Sequence, residues 1–211
     1  MSVVNTELKY IFIHNPKVAG TSMEQIVGGS SHQTIHGYYT QGINLEDFYK
    51  WMFVRNPYTR LISAYNQAKA GPTIFINRHT QNKMSLDEFK NITINFTTFV
   101  ANIHKLFDFN LQNYNEEMFH KNQHIIMDHI APQSYFCNID GKNVLDFIGR
   151  LESIDCDWFS LCRKIGIIQT LPQMNIGISS SVTNYYQSQS TIDIVNELYN
   201  TDFELFGYNK L

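Results

Sequence analysis

Cysteine is scarce in this chain of 211 residues: Cys137, Cys156 and Cys162, with no CxxC pair. That argues against a disulfide framework and a cysteine zinc site and makes buried free thiols the expectation, with a disulfide pair the alternative for a protein that works in an oxidising lumen. Basic runs are also missing. Sixteen Lys and Arg stand against nineteen Asp and Glu, a net charge of −3, so no nucleic-acid surface is expected. No apolar run approaches the ~20 residues that span a bilayer. The first ten residues, MSVVNTELKY, lack the charged-then-apolar pattern of a signal peptide. A cytoplasmic chain with no membrane segment is expected. No internal repeat, low-complexity tract or convincing linker divides it, so one domain is expected over residues 1–211.

What is present reads as alternating strands and helices. Tyr10–Ile13 and Trp51–Val54 are short continuous apolar runs, as in parallel strands buried on both faces. Residues 21–27 read as a helix closed by Gly28-Gly29. Gln33–Ile35 reads as a short strand, and residues 45–49 as a brief helix. Asn56-Pro57 is a helix start, Asn as N-cap and Pro at the first helical position. Ser85-Leu-Asp-Glu88 matches a capping box. Phe96, Phe99, Val100, Ile103 and Phe107 share one helical face over residues 96–107. Residues 134–151 read as a hairpin about Asp140-Gly141, with strands at 134–137 and 144–148. A helix follows from Ser153 to about Ile165. Residues 177–189 read as a loop, residues 190–199 as a last amphipathic helix, and residues 203–208 as an aromatic tail. The fold class is α/β: a single P-loop-like domain with a central, mainly parallel sheet flanked by helices.

Two stretches carry chemistry. The first is Pro16-Lys-Val-Ala-Gly-Thr-Ser22, between a strand and a helix. A helix start offers unpaired backbone N–H groups and about half a positive charge. Around it Lys17, Ala19, Gly20, Thr21 and Ser22 supply a cation, a close-approach backbone and two hydroxyls, the makings of an anion cradle. It is not a Walker A loop, which needs its lysine directly before the hydroxyl residue; an ATP-dependent kinase is therefore disfavoured. The second stretch, Phe53-Val-Arg-Asn-Pro-Tyr-Thr-Arg-Leu-Ile-Ser-Ala-Tyr65, places Arg55 at a strand end. Arg60 and Ser63 lie one and about two turns into the next helix. Two strand-end anion sites imply a ligand with phosphoryl groups at both ends. A helix cap with surface charge is the alternative for each stretch.

Together these stretches resemble the nucleotide-binding signatures of the sulfotransferase superfamily. The resemblance continues in His129-x-x-Pro132-Gln133, in Asp146–Glu152, and in Asp202 with Phe206-Gly-Tyr208. These are similar to the carbohydrate branch, which includes uronosyl and chondroitin sulfotransferases and small microbial relatives. Val18 stands where that branch often has threonine. The resemblance implies a donor, 3′-phosphoadenosine 5′-phosphosulfate, with 3′,5′-adenosine bisphosphate as product and no metal. Lys17 and the loop amides would hold the 5′ end, Arg55 and Ser63 the 3′-phosphate, and Arg150 would border the nucleotide. The acceptor would be a carbohydrate or other hydroxyl-bearing molecule. A small alcohol, phenol or lipid, or a non-catalytic nucleotide-binding role, are the alternatives. A histidine suits the general base at neutral pH. His32 is favoured, then His36, from the region after the first helix where uronosyl-type relatives place theirs. His14 is read as a loop-holding group, His129 as a contact to acceptor or loop, and Glu88 and Glu152 as weaker bases. Asn175 and the 179–181 loop would close over the donor.

Overall fold

A computed structural model of the chain describes residues 3–29, 32–72, 84–109, 128–172 and 181–211. In chain order its elements are β1 (Val3–Asn5), β2 (Tyr10–Ile13), α1 (Gly20–Val27), α2 (Ile35–Thr40), β3 (Tyr49–Val54), α3 (Pro57–Ala70), α4 (Leu86–Ile92) and α5 (Phe96–Ala101). Then come α6 (Ser134–Cys137), β4 (Asn138–Ile139), β5 (Lys142–Asn143), β6 (Phe147–Arg150), α7 (Ile154–Ile165), α8 (Val182–Tyr185), α9 (Gln189–Leu198) and α10 (Asn200–Phe206). The chain divides into two compact units, each discontinuous in sequence: Met1–Arg55, Gln112–His120 and Gln133–Ile176, and Asn56–Leu111, Lys121–Pro132 and Gly177–Leu211.

The first unit holds the sheet, in the order β1-β2-β3-β6. β1 is antiparallel to β2, whereas β2, β3 and β6 are parallel. The α/β class with a mainly parallel sheet is as expected. The apolar runs are strands because both of their faces are buried. Tyr10, Phe12, Trp51 and Phe53 pack with Met23 and Val27 of α1 and Trp158, Leu161, Cys162 and Ile165 of α7. Phe12 stacks on Trp51 with ring centroids 4.3 Å apart. The alternate residues Ile11, Ile13, Met52 and Val54 are buried too, as period-two alternation requires of a two-sided core. Gly149 pairs in register with Phe53, and a Cβ there would lie 2.5 Å from the Phe53 ring. This bare position lets β6 close onto β3 and fixes which residue ends each strand.

At the opposite end of that pairing the buried Lys50 meets the exposed Asp146. Lys50 Nζ lies 2.7 Å from Asp146 Oδ2 and also donates to Leu45 O and Phe48 O. Asp146 Oδ2 accepts from the Lys50 amide at 2.7 Å. A buried ammonium needs such complete pairing.

Three sequence expectations fail in this unit. Gln33–Ile35 is not a strand: the Thr34 side chain accepts from Gly37 N at 3.1 Å and caps α2. Residues 45–49 give one 3₁₀ turn, Leu45–Asp47, before β3 takes over at Tyr49. The hairpin about Asp140-Gly141 exists, with both residues left-handed (φ 49° and 76°), but its strands are only β4 and β5. Ser134–Cys137 is a helical turn instead. Phe147–Arg150 is drawn into the main sheet, where β3 offers a four-residue ladder.

The cysteine expectation holds in part. All three thiols are free; Cys137 and Cys162 are buried, but Cys156 is exposed. Burial pushes the Cys162 thiol up, only partly offset by its contact to Gln169 O. Thiol labelling of the native chain at pH 8 is therefore expected to modify Cys156 rapidly and the other two only on unfolding. A second fast thiol would contradict the burial of Cys137 in α6 or of Cys162 in α7.

The second unit is helical in its described residues. Asn56 Oδ1 accepts from Tyr58 N and Thr59 N and opens α3, and Ser85 Oγ caps α4 through Glu88 N. The helix expected over residues 96–107 is interrupted. α5 stops at Ala101, where Asn102 Nδ2 folds back onto Thr98 O at 2.9 Å, and a 3₁₀ turn continues the same buried face. Part of the expected 177–189 loop is the short helix α8. Tyr185 and Tyr186 there pack edge-on against Phe96, and Tyr186 donates to Tyr58 O at 3.2 Å. The rest of that loop, residues 177–180, lies outside the described residues. The aromatic tail is helix α10 with Phe203 and Phe206 buried. Among the described residues no helix is long and apolar enough to cross a membrane.

Candidate functional site at the sheet edge

The site builds from the C-terminal ends of the three parallel strands. Their pairing is continuous: Ile13 is opposite Met52, and Val54 is opposite Arg150. The residues that follow β2 and β3 and the one that ends β6 therefore crowd one sheet edge. This is the edge where open α/β sheets bind their ligands. It carries Lys17, Arg55 and Arg150.

After β2 the chain turns through a strained loop. Lys17 and Ala19 are both left-handed, with φ 71° and 62°. Neither residue type favours that region, which costs roughly 1–2 kcal/mol apiece. Such turns direct successive backbone N–H groups toward an anion. Val18, between them, is buried in the sheet's core and pins the loop from below. Ala19 offers no side-chain cap to α1, so the first amides of that helix lack the usual internal acceptor. Ser22 is different. Its amide donates to Ala19 O at 3.0 Å, so the expected contribution of a Ser22 backbone N–H is already engaged. Thr21 is exposed and Ser22 buried.

Gly20 has a specific steric reason. A Cβ on it would sit 1.9 Å from His14 Nε2. The expectation that Gly20 admits a ligand is thus supplemented: the space beside it is filled by His14. That imidazole stacks on Phe12 at 5.7 Å and lies 2.8 Å from Glu24 Oε1 through Nδ1.

Arg55 and the loop are brought together. Arg55 Nη1 donates to Lys17 O at 3.4 Å. Behind them Gln133 is fully buried. Its Oε1 accepts from Asn15 Nδ2 and from Arg55 N, both at 2.9 Å, and its Nε2 donates to Arg55 O at 2.8 Å. Asn15 Nδ2 also donates to Phe53 O at 3.0 Å. In the sequence reading Gln133 enters only within the His129-x-x-Pro132-Gln133 resemblance, and Asn15 has no assigned part. They are 118 residues apart, and no local pattern announces their pairing.

Arg150 is exposed at the end of β6. Its amide donates to Asp157 Oδ2 at 2.7 Å, which also accepts from Ser153 Oγ. Glu152 is exposed. Of the two favoured histidines, His32 stands edge-on to His14 with ring centroids 4.7 Å apart, beside the loop. His36 is one turn further on in α2, near Tyr39 at 6.4 Å. In the second unit, Ser63 lies on the second turn of α3 and is half-buried. Arg60 is buried and donates to Ala131 O at 2.7 Å, an internal tie. Glu88 is exposed, and His129 lies in the 3₁₀ turn Asp128–Ile130. Asn175 and residues 179–180 lie outside the described residues.

One sheet edge of this α/β chain thus gathers a strained, lysine-bearing loop and two arginines. A protein-family model described as "Sulfotransferase family" matches residues 1–209, and the chain belongs to that family. It is accordingly an enzyme that transfers sulfo groups, of a family dependent on 3′-phosphoadenosine 5′-phosphosulfate, to a hydroxyl-bearing acceptor. No curated protein and no solved structure matches the chain.

Proposed function

We propose that this chain transfers the sulfuryl group of 3′-phosphoadenosine 5′-phosphosulfate to a hydroxyl of a carbohydrate, with His32 as general base. The observation that carries this reading is the meeting of Arg55 with the Lys17 loop, Nη1 to O at 3.4 Å, on an edge that also bears Arg150. The donor chemistry fits these groups: two phosphoryl ends call for two cationic sites, and both the fork of Arg55 and the loop amides suit them. The donor supplies a sulfuryl group activated by its anhydride to phosphate.

Lys17 and the amides of Gly20 and Thr21 bind the 5′ end and stabilise the charge that grows on the leaving phosphate. Arg55 holds the 3′-phosphate, and Arg150 borders the nucleotide. His32, beside His14, takes the proton of the acceptor hydroxyl as its oxygen bonds to sulfur. The carbohydrate class rests on the resemblance of the downstream motifs, His129-x-x-Pro132-Gln133 and Asp146–Glu152. The family match spans both compact units, which supports one functional domain over residues 1–211.

Thermal melting tests the donor assignment. Adenosine 3′,5′-bisphosphate at a hundred times its Kd stabilises by ~2.7 kcal/mol, a rise of roughly 5–10 °C in Tm for a chain of this size. ATP and 5′-AMP are expected to give less. A shift with ATP alone would replace this reading with a kinase. No shift with any nucleotide would favour a non-catalytic role. Transfer of labelled sulfate to oligosaccharides rather than to phenols or alcohols then tests the acceptor class.

A further inference from the structure

We propose that Gln133 is the residue that makes the enzyme select a bisphosphorylated nucleotide, by fixing the spacing between the Lys17 loop and Arg55. The proposal rests on the donor reading above and assigns a selectivity device within it.

The geometry is specific. The end of β2 and the end of β3 each carry one anion-binding segment, and β2 and β3 pair only up to Ile13 and Met52. Beyond that point no strand ladder is left to hold His14–Ala19 against Arg55. Gln133 supplies the buried connection, beside the bonds of Asn15 Nδ2 to Phe53 O and Arg55 Nη1 to Lys17 O. One buried side chain accepts from Asn15 in the first segment, and both accepts from and donates to the backbone of Arg55 in the second. Asn15 adds the bond to Phe53 O. The primary amide suits this task because it accepts and donates in one plane. These bonds reach the backbone of Arg55 itself and the side chain of Asn15, two residues before Lys17. Gln133 itself is fully buried behind them and acts through Asn15 and Arg55, so it is a positioning residue.

The consequence follows from bivalency. A ligand with phosphates at both ends binds the second site at an effective concentration set by how well the spacing of the two sites matches its own. A rigid bracket keeps that concentration high. A loosened bracket leaves each site locally intact but removes the match. A nucleotide with one phosphate uses one site and is indifferent to the spacing. Gln133 therefore acts on the difference between ligands, which a general contribution to stability would not do.

Calorimetric titration of the full chain tests this with three ligands: adenosine 3′,5′-bisphosphate, 5′-AMP and 3′-AMP. The variants are Gln133→Met, which keeps the side-chain length, and Asn15→Ala, which cuts the tether to Gln133 together with the bond to Phe53 O. Thermal melting checks that each is folded. Should Gln133→Met fail to fold, Asn15→Ala leaves both bonds from Gln133 to Arg55 in place and carries the test. The expected result is a loss on the order of ten- to a hundredfold in bisphosphate affinity. Each monophosphate should change by less than about threefold, within the spread of a single intact site. Unchanged bisphosphate affinity in a folded variant overturns the proposal, and so does a parallel loss for all three ligands. The wild type is measured first. Its failure to bind bisphosphate at all would overturn the donor reading itself, and is thereby distinguished from a failure of the bracket.

Discussion

Replacing Lys17 with methionine is expected to lower kcat by roughly 10²–10³-fold, the usual loss when one preorganised stabiliser of developing charge is removed. Methionine keeps much of the length and apolar stem, so the missing quantity is the ammonium. Its companion, Lys17→Gly, separates catalysis from stability. Lys17 is left-handed at φ 71°, a region glycine enters without steric cost. Part of the gain is offset by the freer unfolded chain. The net is expected to be a stabilisation of about 0.5–1 kcal/mol, or a Tm rise of roughly 1–4 °C. A variant that melts later and transfers nothing would mean that the wild type holds Lys17 in this strained position at a cost in stability, for the sake of its ammonium. Sulfate-transfer assays and melting curves on the two variants decide it. Retention of a tenth or more of wild-type kcat by Lys17→Met would remove Lys17 from the reaction.

The parts of the fold that were legible are those whose cause is local. Tyr10–Ile13 and Trp51–Val54 read as buried strands because continuous apolar runs have few other uses. Asn56-Pro57 and Ser85-x-x-Glu88 read as helix starts because the capping bond lies within three residues. The misreadings occur where two local options compete. Thr34 is β-branched and suggests a strand, yet its hydroxyl is better used as the cap it becomes. Residues 147–150 could extend a hairpin, but pairing with β3 buries more. The site divides in the same way. Lys17 and Arg55 are visible because they sit in short motifs with glycine and proline punctuation. The bracket is not visible, since Gln133 is 78 residues from Arg55 and farther still from Asn15. The strain of the loop is hidden too, because lysine and alanine carry no signal for the left-handed region that both adopt.

Gly20→Ala should be among the most damaging small substitutions in the chain, and its cause can be isolated. The added methyl would fall 1.9 Å from His14 Nε2, far inside contact distance. Alanine is otherwise a better helix residue than glycine, so propensity alone predicts a gain. Overpacking of this kind typically costs about 1–3 kcal/mol, because either α1 lifts off the loop or the imidazole leaves its place. If His14 moves, it loses the Phe12 stack and the contact with Glu24, and His32 loses the ring it stands against. Both displacements reach the proposed donor and base positions, so sulfate transfer should fall together with Tm. The double variant Gly20→Ala with His14→Ala is expected to be more stable than Gly20→Ala alone. In the wild-type background, His14→Ala should instead cost stability, through the packing it forfeits. A sign reversal between two touching residues is the mark of a direct steric conflict. Simple addition of the two losses would mean that Gly20 is needed for its backbone, with His14 only a neighbour, and the steric account would fall. Recovery of stability without recovery of transfer would locate the damage at His32, because the double variant restores the space beside α1 but not the ring on which His32 leans.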